Sequence, residues 1–121
     1  MNVISIRGAI TADNNTTKDI SDATVELFSE ILNANKISTD DIINIIFSMT
    51  KDLNAIYPAK ALREKFSISD IPLFCTQEAD IHNSLSKCIR VLITVNSDLS
   101  KSSVKHIYLK EAKNLRPDLI K

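Results

Sequence analysis

The chain opens on a strict alternation. In NVISIRGAIT, residues 2 to 11, Ile4, Ile6 and Ile10 point to one side and Val3, Ser5, Arg7 and Ala9 to the other. That is the period-two pattern of a strand with one strongly apolar face. After a turn at Asp13, Asn14 and Asn15 the period lengthens. Ile20, Leu27 and Ile31, flanked by Val25, Phe28 and Leu32, make a broad apolar stripe. The stripe predicts a helix to about Asn35, capped by Thr16 or Thr17 and carrying Asp19 in its first turn. STDD, 38 to 41, reads as a turn or short cap, and the β-branched run IINIIFSMT, 42 to 50, as a second strand.

Pro58 sits where proline is tolerated, at the start of a second helix, PAKALREKF. IPLFCTQE, 71 to 78, predicts a short strand, with Pro72 marking its start or a sheet edge. A polar connection over 79 to 86 leads to the strand KCIRVLITV, 87 to 95, and VKHIYLK, 104 to 110, predicts the last strand. The order is β-α-β-α-β-β-β, with no repeat, low-complexity segment or linker. Residues 1 to 121 therefore read as one α+β domain of α/β-like character, its helices on one face of a single sheet.

Composition narrows the function. Fifteen basic residues balance 15 acidic ones, so no basic surface is available for general binding of nucleic acid or anionic lipid. Gly8 is the only glycine, which excludes a glycine-rich phosphate loop. Cys75 and Cys88 have no metal-ligand spacing, and neither histidine completes a metal signature. The apolar runs are far below membrane-spanning length and the N-terminus has no signal-peptide pattern, so the expectation is a reduced, cytoplasmic protein with free thiols. Cys75 and Cys88 read as small packed residues rather than nucleophiles, and His82 and His106 receive no role.

The charge that needs explaining is Arg90, which stands among Ile89, Val91, Leu92, Ile93 and Val95. Burying a charge without a partner is costly. Alternation puts Arg90 on the less greasy face with Cys88, Leu92 and Thr94, and puts Arg7 and Tyr108 on the corresponding faces of their strands. If these strands are neighbours, two guanidinium groups and a phenol converge, with Glu78 as counter-charge. Lys60 and Arg63, three apart at the start of the second helix, add positive charge where the macrodipole also favours an anion. On the residues alone, a structural Arg90–Glu78 ion pair and a solvated Arg7 explain the pattern as well as a ligand site does.

Six stretches carry a resemblance over nearly the whole chain: IRGAIT (6–11), YPAKALRE (57–64), CTQE (75–78), KCIRVLITV (87–95), HIYL (106–109) and LRPDL (115–119). Together, in this order, they resemble the AroH-type monofunctional chorismate mutases. The resemblance implies an isomerase that converts chorismate to prephenate by an intramolecular Claisen rearrangement, toward phenylalanine and tyrosine. It implies a mixed sheet, a trimeric pseudo-α/β-barrel, and active sites between subunits.

No cofactor or metal is implied, because the reaction needs a dianion held in a compact conformation and a donor for the breaking ether oxygen. Carried over by position, Arg90 would bind the ether oxygen and a carboxylate. Arg7 and Tyr108 would hold carboxylate oxygens, and Glu78 would accept from the ring hydroxyl, with Cys75, Thr76 and Gln77 beside it. Lys60, Arg63 and Arg116 would line the anionic entrance, and Tyr57, Ala59, Phe74 and Leu115 the cavity. Tyr57 and Phe74 depart from the phenylalanine and threonine usual there, and HNS at 82 to 84 replaces a glycine-containing turn. A metabolite-binding module without turnover, a purely structural trimer, and an imine deaminase of similar fold are the competing readings.

Overall fold

The computed structural model describes residues 2–115. Its elements are β1 (Asn2–Thr11), α1 (Thr17–Asn35), β2 (Ile42–Met49), α2 (Pro58–Lys65), β3 (Leu73–Gln77), β4 (Cys88–Ser97) and β5 (Ile107–Tyr108), with 3-10 turns at Thr39–Asp41 and Lys110–Asn114. The five strands form one sheet in the order β3-β2-β4-β1-β5. β4 runs antiparallel to both β1 and β2, whereas β3 pairs parallel with β2 and β5 parallel with β1. The sheet is therefore mixed, as the resemblance implies.

Thr16 caps α1, its side chain accepting from the Asp19 amide. The apolar stripe of α1 and the inner residues of α2 bury against alternate residues of the strands. Ile20, Leu27, Phe28, Ile31 and Leu62 pack with Ile6, Ile45, Phe47, Ile89 and Ile93 in one core. Gly8 packs closely under α1. A Cβ there would lie 2.7 Å from Ile31 Cδ1 and 3.1 Å from Val91 Cγ1, so a larger residue would force these side chains to shift.

The third and last strands depart most from expectation. The third strand begins at Leu73 rather than Ile71, because Pro72 cannot donate to a ladder. Its carbonyl still accepts from the Ile45 amide at 3.0 Å, which suits the start of an edge strand. The last strand shrinks from the predicted 104–110 to two residues. Lys110, at φ 54, turns the chain out of extended conformation on one side. On the other, the Asn35 side chain takes both polar groups of Lys105, accepting from its amide at 2.8 Å and donating to its carbonyl at 2.9 Å. In the HNS connection Asn83 adopts φ 65. Asparagine supplies there the left-handed conformation that glycine would otherwise provide.

Candidate active site

Helices α1 and α2 cover one face of the sheet, and the 3-10 turn Lys110–Asn114 packs over one end of the other. On this second, open face, strand register sets side chains in rungs. One rung runs Thr76, Ser48, Arg90, Ala9, Tyr108, and the next runs Phe74, Ile46, Leu92, Arg7. Arg7 and Arg90 are thus diagonal neighbours on adjacent strands, as alternation predicts. Ala9 separates Arg90 from Tyr108 and is small enough to leave space above itself. Arg7, Ser48, Arg90 and Tyr108 line a cavity of about 330 Å³ there.

Arg90 Nε lies 3.2 Å from Glu78 Oε1, and the two side chains are 42% and 26% exposed. A half-exposed pair of this kind adds little to stability and can exchange partners. The Nε–H is not aligned on the carboxylate. Nε is a buried atom without a hydrogen-bond partner among the described residues. Glu78 Oε1 instead accepts from the Ser48 hydroxyl, and the Glu78 amide donates to the Met49 carbonyl at 2.8 Å. Sequence reasoning missed Ser48, since its contact with Glu78 depends on the parallel pairing of β2 and β3.

The start of β4 is held by a second polar network. The Lys87 amide, at φ 50, donates to both carboxylate oxygens of Asp52 at 3.1 and 2.9 Å. Thr50 Oγ1 donates to Asp52 and accepts from the Cys88 amide at 3.0 Å. These bonds pin β4 two residues before Arg90. On the far side, the Arg7 amide donates to His106 Nδ1 at 2.9 Å. The imidazole thereby takes the place of a ladder carbonyl just before β5, a role that its spacing did not reveal.

Cys88 lies on the open face beneath Tyr108, packed with Ala9 and Ala112 and flanked by Leu85 and Leu115. Burial pushes its thiol up to about 11, with the nearby Arg90 acting in the opposite direction. It is a packed thiol and not a nucleophile at neutral pH.

The remaining candidates lie apart. Tyr57, Lys60, Cys75, Thr76 and Gln77 line a second cavity of about 530 Å³, together with residues of the 50–56 loop. Cys75 pairs in register with Phe47 of the buried core, so it faces away from Arg90 rather than standing beside Glu78. Phe74 and Tyr57 are exposed. Ala59 is buried in the main core. Arg63 falls in the last turn of α2, not at its start. The macrodipole there disfavours an anion, so that part of the sequence argument holds only for Lys60. Leu115 packs against the Cys88–Tyr108 cluster, and Arg116 lies outside the described residues.

Among the described residues, no group of three histidine, cysteine, aspartate or glutamate side chains could hold a metal ion. The fold and the open face define a small α+β protein in which two arginines and a phenol line one cavity. Comparison with known proteins names the class more closely. The chorismate mutase type I family matches residues 3–119. Chorismate mutase AroH of Bacillus subtilis (strain 168) is 39% identical over 119 residues, covering 98% of this chain and 94% of that protein. Chorismate mutase AroH of Thermus thermophilus is 42% identical over 118 residues, 97% and 96% of the two chains. The solved structure of a chorismate mutase from Clostridium thermocellum superposes with a TM-score of 0.89 at 44% identity, covering 92% of this chain and 98% of its own. The chain belongs to the chorismate mutase type I family.

Proposed function

We propose that this protein, as one domain over residues 1–121, rearranges chorismate to prephenate on the open sheet face around Arg90. The reaction is intramolecular. One carbon–oxygen bond breaks and one carbon–carbon bond forms within the same molecule, with no proton transfer and no covalent intermediate. The protein's task is to hold the dianion compactly and to stabilise charge developing on the ether oxygen. Arg90 donates to that oxygen and to a carboxylate, Arg7 and Tyr108 hold carboxylate oxygens, and Glu78 accepts from the ring hydroxyl. The observation that carries this reading is the Arg90–Glu78 contact with its unaligned Nε. The guanidinium is held in place without being consumed by its counter-ion.

The split between two cavities supports the further proposal of a homotrimer. Arg7, Arg90 and Tyr108 line one cavity and Tyr57, Lys60, Cys75, Thr76 and Gln77 another. Closing the open face of one subunit with the second cavity of a neighbour would assemble a full site, in keeping with the exposed Val3, Ile46, Phe74 and Leu92. In that arrangement Phe74, Tyr57 and Leu115 shape the walls, and Lys60 and Arg63 guard the entrance. A cytoplasmic location fits two free thiols and the lack, among the described residues, of any helix able to cross a membrane.

The test is to mix purified protein with chorismate, follow loss of its ultraviolet absorbance and identify the product. Prephenate formed at a rate proportional to enzyme supports the proposal. Tight binding without turnover would replace it with a metabolite-binding module, and no binding would remove both.

A further inference from the structure

Ser48 sits on β2 in the rung that carries Arg90. It is paired in register with Arg90 on one side and with Thr76 on the other. Its hydroxyl donates to Glu78 Oε1, the same oxygen that lies 3.2 Å from Arg90 Nε. Arg90 Nε is buried and has no hydrogen-bond partner among the described residues, although a carboxylate oxygen is within contact distance. Arginine and a carboxylate left to themselves favour a closed pair with parallel N–H···O bonds. Here one carboxylate oxygen already accepts a hydroxyl proton from the strand beneath it, and the guanidinium is not aligned with it.

We infer that Ser48 is a positioning residue that tethers Glu78 and so keeps the Arg90–Glu78 pair open for substrate. The inference rests on the placement of the reaction at Arg90 and Glu78. Ser48 does not touch substrate in this scheme. It fixes one Glu78 oxygen, leaves the other to accept from the ring hydroxyl, and stops Glu78 from closing on Arg90. Losing the tether lets the pair collapse into a bidentate ion pair, which substrate must then break before Arg90 can reach the ether oxygen.

The test is a kinetic cycle on the full chain with chorismate as substrate. Ser48→Ala is expected to lower kcat about tenfold, the scale of one hydrogen bond to a charged group. Ser48→Thr, which keeps the hydroxyl, is expected to retain most activity. Placed on a Glu78→Ala background, Ser48→Ala is expected to have no further effect, because the residue acts only through Glu78. A purely structural serine would instead cost the same factor on both backgrounds, and that result overturns the inference. So does wild-type turnover in Ser48→Ala, or failure of threonine to rescue a Ser48→Ala variant that melts like wild type. If Glu78→Ala alone kept full activity, the site assignment itself would fall, a result distinct from the failure of Ser48.

Discussion

The two faces of the sheet are built from the same strands and differ at every second residue. Ile93 and Leu92 are adjacent on β4. Ile93 is fully buried beneath the helices, whereas Leu92 is 37% exposed beside Arg7. Ile89 and Arg90 repeat the contrast one turn of the pleat away. The covered face is mainly apolar and close-packed around Gly8. The open face mixes arginines, hydroxyls, a phenol and exposed aliphatic groups. A side chain on the first face is held by the packing around it, and its energetics belong to the fold. Away from the buried Ala9–Cys88–Tyr108 cluster, an exposed side chain on the second contributes little to folding and is available for a ligand and, on the trimer proposal, for neighbouring subunits.

Substitutions that cross this divide should separate folding from function. Ile93→Ala, on the covered face, is expected to cost about 2–5 kcal/mol of stability, read by denaturant unfolding. Its catalytic parameters should stay near wild type under conditions where it remains folded.

Cys88 lies on the open face but is buried, and its effect is pH-dependent. Its thiol is raised from 9.0 to about 11 in the folded protein. The unfolded chain therefore loses that proton first as pH rises. The associated stability is fully present below about pH 9 and is lost toward pH 11, a change of up to about 2–3 kcal/mol. Comparing urea unfolding of wild type and Cys88→Ala at pH 8 and pH 10.5 isolates this contribution, which the variant should lack.

Leu92→Ser should change the intrinsic stability of one subunit least, by within about 0.5 kcal/mol. Its visible effect should be on assembly. Sedimentation is expected to show a shift toward smaller species with an unchanged circular dichroism spectrum, and an unshifted trimer would remove Leu92 from the proposed interface.

The same contrast explains what could be read from the chain. Period-two patterning placed Arg7 and Arg90 on one face, because alternation is a local property of β1 and β4. The element order followed from equally local signals, such as the α1 stripe and Pro58, whereas the mixed strand directions were implied only by the family resemblance. Contacts made through strand pairing were not legible. Ser48 meets Glu78 only because β2 and β3 run parallel in one register, and His106 replaces a carbonyl for Arg7 only because β5 stops short. The opposite orientation of Cys75 was within reach, since it is three residues from Glu78. Treating CTQE as one motif obscured it. The division of the candidate residues between two cavities depends on the folding of the 50–56 loop against β3, which no spacing encodes.

The central claim is that Arg90 is kept on an otherwise apolar strand for a reaction and not for the fold. The most direct measurement is the turnover of chorismate by Arg90→Met, with melting recorded on the same preparation. The expected result is a fall of about a hundredfold to a thousandfold or more, the scale of losing one donor to a developing oxyanion, with a melting temperature close to wild type. Near-normal turnover, or a protein that no longer folds, would contradict the account, the latter outcome returning Arg90 and Glu78 to a structural ion pair.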